Sequence, residues 1–300
     1  MGKRMIIEAP AKINLILDIK GKRLDGYHEL ETVMHQISLA DRIILNPCAS
    51  GIKLGINSSL VPYNESNLAY RAASVFFQKN GFKGGIEIFI EKNIPVGAGL
   101  AGGSTDAAAV LLGINEIYEY NLSEELLLEM AAELGSDVPF CVLGSSALAR
   151  GRGEILTPLP SAVSLAIVLV KPDFQLSTAE VYSKFELAKV EQFPDTRAFL
   201  AAWSRGDVED IAVNMVNVLE SVSIRIHPEI AVIKERLKGL GALNAVMSGS
   251  GPSVFGIFKE KREAAQAAET LRKWYSEVYL VSSYKRGDYD GKKEIIAGRP

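Results

Sequence analysis

The first clear pattern along the chain is a period-two alternation over residues 12–20, "KINLILDIK". Ile13, Leu15, Leu17 and Ile19 fall on one side and Lys12, Asn14, Asp18 and Lys20 on the other, which predicts a strand with one apolar and one polar face. The following "GKRLDGYHEL" loses the alternation and carries Gly21, Asp25 and Gly26, so it reads as a loop. Short strands are expected at "RIILN" near residue 43, "GIKLGI" near residue 53 and "GIEIFIE" at 85–91. Helical spacing predicts one helix over 65–79 with Asn67 placed to cap it, one along "TDAAAVLLGINEIYEY", and one from Ser123 to Leu134 that Gly135 stops. A Gly-, Ser- and Pro-rich stretch at about 145–164 marks a boundary between two domains, 1–155 and 156–300. Beyond it, "LAIVLVKP" reads as a buried strand, followed by helical segments to about residue 240. The chain then runs strand ("NAVM"), glycine-rich turn, strand ("SVFGIF"), helix ("EKREAAQAAETLRKWY") and strand ("EVYLVSSY"). That order implies an α+β sandwich on an antiparallel sheet.

Composition narrows the class. With 300 residues, 48% hydrophobic and 23% charged, the chain can bury large cores. A net charge of −3 argues against a nucleic-acid partner, so any anionic ligand must be held by local donors. Cys48 and Cys141, with His28, His35 and His227, are scattered without metal-ligand spacing, and no disulfide framework is expected, as in a reducing cytoplasm. The opening "MGKRMIIEAPAKINL" is interrupted by Glu8, Pro10 and Lys12 and reads as a strand rather than a signal peptide. No apolar run reaches the ~20 residues that span a bilayer, so no membrane partner is expected.

The candidate chemistry centres on a glycine run. Gly97-Ala98-Gly99-Leu100-Ala101-Gly102 spells the dinucleotide fingerprint G-x-G-x-x-G. Its context is wrong for that use. Lys92 to Val96 separate it from the preceding strand, antiparallel-looking strands precede it, and no acidic residue closes a second strand ~20 residues on. No Gly-Lys-Ser/Thr follows, which excludes a Walker loop. Four glycines and small neighbours opening a helix at Gly103-Ser104-Thr105 still suit an anion held by backbone N–H groups and the helix dipole. The plainer reading is a glycine-rich turn capped by Ser104.

"PVGAGLAGGSTDAAA" resembles the phosphate loop of the GHMP kinases, a superfamily of ATP-dependent small-molecule kinases, and "APAKINLILDI" and "VMSGSGPSVFGIF" resemble its two other motifs in the same order. The resemblance implies a two-domain α+β fold: an N-terminal mixed α/β domain of left-handed small-molecule-kinase topology and a C-terminal ferredoxin-like α/β sandwich. It implies ATP and Mg²⁺ as cofactors. Within the superfamily, "GKRLDGYHELETVMHQISLAD" with "LGSDVPF" is similar to the branch whose alcohol substrate carries a cytidine diphosphate. That branch phosphorylates a 2-hydroxyl in the non-mevalonate route to isoprenoid precursors.

The resemblance also distributes roles, each with a plainer alternative. Asp137 is the implied catalytic base, or else a turn cap; Lys12 is its partner, or else a solvated strand residue. Asn14 is placed to position the substrate, or is a surface polar residue. Tyr27 and His28 are implied to read the cytosine, with Tyr182 on its other side, or they pack as an amphipathic loop and a helix tyrosine. Pro95, Val96, Gly97, Ala98, Gly99, Leu100, Ala101, Gly102, Gly103, Ser104 and Thr105 would hold ATP, with Asn67 and Leu68 bordering adenine or simply starting a helix. Gly249, Ser250 and Gly251 would close over substrate phosphates, or form a hairpin turn. Ser104 is the one Mg²⁺ ligand the resemblance suggests. A monomer or homodimer is compatible with all of this. The competing functions are a GHMP kinase for another alcohol (homoserine, mevalonate or a sugar), a non-catalytic ligand sensor, and, distantly, a dehydrogenase.

Overall fold

The alternation at 12–20 belongs to a longer strand, β1 (Arg4–Lys22), paired antiparallel with the equally long β2 (His28–Cys48). The computed structural model describes residues 4–160, 163–284 and 294–296. Register shifts after Pro10, Asn14 and Ile19 interrupt the β1–β2 ladder, the first beside a proline that has no N–H to offer. Each bulge turns the next residues of the strand to a different face. Ile13, Leu15 and Ile16 therefore share one core while Leu17 and Ile19 enter another, so the single apolar face expected over Ile13–Ile19 does not exist. The expected polar face is not on the surface either: Lys12, Asn14 and Asp18 are all buried.

The loop after β1 is shorter than its sequence suggests. Arg23 N–H donates to Tyr27 O at 2.8 Å, closing a turn, and His28 already begins β2. "RIILN" is the far end of that strand, continuous because β2 pairs with β1, β5 (Ser146–Gly151) and β4 (Gly85–Glu91) along its length. The first sheet has the order β11–β1–β2–β4–β3, where β3 is Gly51–Ile56 and β11 is Glu294–Ile296; β5 joins β2, and β6 (Ile155–Pro158) joins β5. All pairs are antiparallel except β3–β4, which helix α1 (Leu68–Asn80) connects. Asn67 Oδ1 accepts the Ala69 N–H at 2.8 Å and caps α1 as the sequence predicts. Helices α2 (Gly102–Ile117), α3 (Glu124–Leu134) and α4 (Val138–Leu143) share a core with α1 and this sheet.

The β5–β6 hairpin fills most of the 145–164 segment expected to separate domains. Gly153 lies in its turn, Gly151 ends the strand β5 that pairs with β2, and the chain changes sheets only between Pro158 and Ala166. The second sheet is antiparallel, β10–β7–β9–β8, from β7 (Ala166–Lys171), β8 (Asn244–Met247), β9 (Val254–Phe258) and β10 (Glu277–Ser282). In chain order this is 4-1-3-2, the ferredoxin-like arrangement. Helices α5 (Thr178–Ser183), α6 (Thr196–Arg205), α7 (Val208–Val213), α8 (Glu220–Ile226) and α9 (Glu229–Gly239) lie between β7 and β8 in the chain, and α10 (Lys261–Leu271) between β9 and β10. The two sheets are not separate bodies joined by a tether. Ala11, Ile13, Leu15 and Ile16 of β1 pack in one core with Phe199 and Trp203 of α6 and Phe255 and Ile257 of β9. Each such fully buried large side chain contributes about 1.5–3 kcal/mol.

Candidate active site

Buried polar groups on β1 need partners, and they find them in one chain of bonds. Lys12 Nζ donates to Asn14 Oδ1 at 2.7 Å, Asn14 Nδ2 to Thr32 Oγ1 at 2.9 Å, and Thr32 Oγ1 to Ile16 O at 2.6 Å. Facing Lys12 is Asp137. It follows the end of α3 and stands at the N-cap of α4, with Pro139 fixing the helix start behind it. Its carboxylate makes no capping bond; Oδ2 lies 3.7 Å from Lys12 Nζ. The Lys12 side chain is 6% exposed and that of Asp137 34%, so the cation lies deep and the carboxylate at the open side.

The glycine run meets this pair. Ala101, at φ 57°, turns the chain into α2 without any side-chain cap, and the first helical bond runs from Thr105 N–H to Ala101 O. The N–H groups of Gly102, Gly103 and Ser104 therefore precede the helical ladder and remain available to an anion. Ser104 is inside the helix and not its cap. Thr105 lies outside the cavity: its hydroxyl donates to Pro10 O at 2.7 Å and the residue is buried. Leu100 O accepts the Lys12 N–H at 3.1 Å, which ties the run to β1. On its other side packs the Ser248–Gly251 loop. A side chain on Gly99 (φ 75°) would place Cβ 2.4 Å from Ser248 O and 2.9 Å from Gly251 O, so only glycine fits. A Cβ on Gly249 would lie 3.3 Å from Asn14 Oδ1 and 3.7 Å from Lys12 Nζ, which puts that loop at the lysine–aspartate pair. Gly251, the last residue of that loop, does not line the cavity.

One cavity of about 1170 Å³ collects the remaining predicted residues: Lys12, Asn14, Tyr27, His28, Asn67, Leu68, the run from Pro95 to Ser104, Asp137, Tyr182, Gly249 and Ser250. Asn67 has its amide committed, with Oδ1 on Ala69 N–H and Nδ2 on Pro62 O at 2.8 Å. Around Tyr27 an aromatic and cationic pocket forms. The His28 ring lies 5.4 Å from that of Tyr182 and 6.0 Å from that of Phe185, and the Arg152 guanidinium sits 5.0 Å over the Tyr27 ring. Burial, then the Lys22 charge, lowers the His28 pKa from its usual 6.5, so the ring is neutral at pH 7. Burial and then the Asp137 charge push the Tyr182 phenol up, so it stays protonated.

Family models match both halves of the chain, "GHMP kinases N terminal domain" over residues 67–145 and "GHMP kinases C terminal" over 198–277. The chain is 63% identical over 284 residues (95% of it and 100% of the relative) to 4-diphosphocytidyl-2-C-methyl-D-erythritol kinase of Syntrophomonas wolfei. It is 45% identical to the enzyme of that name from Alkaliphilus metalliredigens, over 96% of the chain and 99% of that protein. The chain belongs to the 4-diphosphocytidyl-2-C-methyl-D-erythritol kinase family. A crystal structure of 4-(cytidine 5'-diphospho)-2C-methyl-D-erythritol kinase superposes with a TM-score of 0.81 at 38% identity, covering 93% of this chain and 100% of that one. Homoserine kinase from Cytophaga hutchinsonii shares the fold, with a TM-score of 0.76 at 20% identity over 95% of each chain.

Several cavity residues of this 4-diphosphocytidyl-2-C-methyl-D-erythritol kinase family member escaped sequence reasoning. Arg152 and Phe185 are two: Arg152 is flanked by turn glycines, and Phe185 lies three residues past Tyr182. Lys92, just ahead of the glycine run, is a third. Its ammonium is clamped between Asp41 and Asp106, with Asp106 Oδ2 at 2.8 Å, and a Cβ on Gly102 would lie 3.1 Å from it. Asp41 Oδ1 also accepts the N–H groups of Asn93 at 2.6 Å and Ile94 at 2.8 Å, which fixes the entry to the run. Burial alone would lower the Lys92 pKa, but the two carboxylates outweigh it and hold it above the ordinary value. Burial pushes the Asp106 carboxyl up to about 8. Lys92 and Asp106 flank the run in the sequence, but Asp41 lies far upstream, and only folding brings the three together.

Proposed function

We propose that this protein transfers the γ-phosphoryl group of ATP to the 2-hydroxyl of 4-diphosphocytidyl-2-C-methyl-D-erythritol, within the non-mevalonate route to isoprenoid precursors. The observation that carries the reading is the Lys12–Asp137 pair, which shares one cavity with both the glycine run and the aromatic pocket around Tyr27. Such a transfer needs in-line positioning, charge neutralisation and a place for the hydroxyl proton. ATP supplies the phosphoryl group, and a bound Mg²⁺ would offset the charge on its oxygens. The N–H groups of Gly102, Gly103 and Ser104 and the positive end of α2 hold phosphate oxygens. Asp137, at the open side of the pair, accepts the hydroxyl proton at its carboxylate. Lys12, 3.7 Å away, sets its positive charge beside the carboxylate and the oxygen that reacts. Asn14 holds the Lys12 ammonium in place through its Oδ1. Tyr27, His28, Tyr182 and Phe185 enclose the base, with the neutral His28 imidazole offering one donor and one acceptor to its edge.

The residues present fit Mg²⁺ in a limited way. Among the described residues no group of three or more His, Cys, Asp or Glu side chains could hold a metal ion. Asp106 Oδ1 is buried without a hydrogen-bond partner. Ser104 Oγ would be the protein ligand, and phosphate oxygens and water would supply the rest, as Mg²⁺ commonly prefers. Among the described residues no helix is long and apolar enough to cross a membrane. We place the enzyme in the cytoplasm, where ATP is available.

The test is ADP release with Mg-ATP and a panel containing 4-diphosphocytidyl-2-C-methyl-D-erythritol, homoserine, mevalonate and galactose. Turnover of the cytidine compound alone is expected. Turnover of a different alcohol instead would remove the base-reading role from Tyr27, His28, Tyr182 and Phe185.

A further inference from the structure

The Ser248–Gly251 loop is gripped from behind by a short segment, Asn217–Ser223, none of which lines the cavity. Asn217 is 3% exposed and stitched to the strand that carries Lys12 and Asn14. Leu17 N–H donates to Val216 O at 2.9 Å and Val218 N–H to Leu17 O at 3.0 Å, forming a parallel bridge at Asn217. Held there, its carboxamide is fully used. Nδ2 donates to Met247 O and to Gly249 O, both at 2.7 Å, and Oδ1 accepts the Leu219 N–H at 3.0 Å. Glu220 Oε1 accepts the Met247 N–H at 2.7 Å, and Ser223 Oγ donates to Ser250 O at 3.4 Å.

In a trans peptide the carbonyl and the next N–H point in opposite directions. Asn217 draws the Gly249 carbonyl backwards, so the Ser250 N–H faces away from Asn217, towards the side where Gly249 and Ser250 line the cavity beside Asn14 and Lys12. The flipped peptide would present a carbonyl oxygen to the same space and repel a phosphate. Gly249, at φ 57°, has no side chain to restrict its ψ, so on the local backbone only the φ of Ser250 resists the flip.

We propose that Asn217 is a positioning residue for the phosphoryl transfer: its carboxamide selects the orientation of the Gly249–Ser250 peptide in which the N–H, not the carbonyl, faces the substrate's phosphates. This rests on the reading of the cavity as a phosphoryl-transfer site, and assigns a role to a residue that touches neither substrate.

The test compares N217A and N217D with the wild type in kcat/KM for the alcohol, in equilibrium ATP binding and in unfolding midpoint, from pH 8 to pH 6. For N217A, kcat/KM is expected to fall about 10- to 100-fold, less than for direct removal of a transition-state donor, with ATP binding within about twofold of wild type. N217D keeps the shape but points a carboxylate at two carbonyl oxygens. Burial there raises its pKa, and protonation restores one donor. Its activity relative to wild type is therefore expected to rise about tenfold as the pH falls from 8 to 6. A flat ratio over that range, or an N217A enzyme with wild-type kcat/KM, would overturn the proposal. Should N217A fail to fold, the N217D ratio decides. Wild-type turnover of the cytidine substrate is a separate measurement whose absence counts against the functional reading. The variant-to-wild-type ratio is taken with whichever alcohol is turned over.

Discussion

Asp137 and Lys12 illustrate how position decides the work of an ordinary side chain. An aspartate at a helix start usually caps it, yet this one makes no capping bond and faces the Lys12 ammonium across 3.7 Å. Asp137→Asn keeps size and shape but cannot accept the proton. It is expected to lower kcat about 10²- to 10⁴-fold with ATP affinity within about twofold of wild type, read by steady-state rates and equilibrium binding. Normal kcat with lost binding would contradict the assignment. Tyr27→Ala removes a stacking face worth about 1–3 kcal/mol, which corresponds to KM for the cytidine substrate rising about 5- to 150-fold at unchanged KM for ATP. The pair and the aromatic residues could be named from sequence because motifs carry them. Asn217 and Lys92 could not, since their meaning lies in contacts with Gly249, Asp41 and Asp106, which are remote in the chain. Lys12 and Asn14 looked like part of a solvated strand face, and an alternating pattern cannot tell a face that meets water from one that meets a site.

Among the elements, the helices and β4 were legible because their periodicity and caps are local, as Asn67 ahead of α1 and Ser123 ahead of α3 show. The long strands were not, because bulges reset the alternation in β1 and β2 continues through residues that read as loop. The same locality explains why 145–164 shows itself in the sequence only as a domain boundary: turn glycines are visible there, but the pairing of β5 with β2 is not. The contact between the glycine run and the loop joining β8 to β9 is just as invisible, and Gly99 is its tightest point. Gly99→Ala would add roughly 1–3 kcal/mol of backbone strain and drive Cβ against two carbonyl oxygens. We expect a lower unfolding midpoint together with raised KM for both ATP and the alcohol. A variant with wild-type values in all three would show that the two loops need not touch.

The whole molecule is pinned where its two sheets meet. His35, fully buried on β2, hydrogen-bonds Ser146 Oγ at 2.7 Å and Ser283 Oγ at 2.8 Å, with its ring edge-on to Trp203. Burial pushes its pKa down to about 4 from the ordinary 6.5. Because the folded-state pKa is the lower one, the neutral ring's contribution is complete above about pH 6.5. It is lost as the pH falls towards 4, where the unfolded chain takes up the proton first. A shift of 2.5, from 6.5 to about 4, corresponds to roughly 3 kcal/mol. Unfolding midpoints measured from pH 7 to pH 4 should fall, and His35→Gln should flatten that dependence at some cost in stability at pH 7; an equally steep fall in the variant would assign the acid sensitivity to other groups.

The core shared by Ile13, Leu15 and Ile16 with Phe255 and Ile257 also sets a timetable. As the chain leaves the ribosome, the first strand emerges about 240 residues before its partners from β9, a delay of roughly 10–50 s at ordinary rates of synthesis. For that interval its apolar residues have no complete native surface to cover them. Nascent chains of this protein should therefore lean on holding factors until the last third has been made, and a stalled or truncated product would leave one of its stickiest segments open to aggregation.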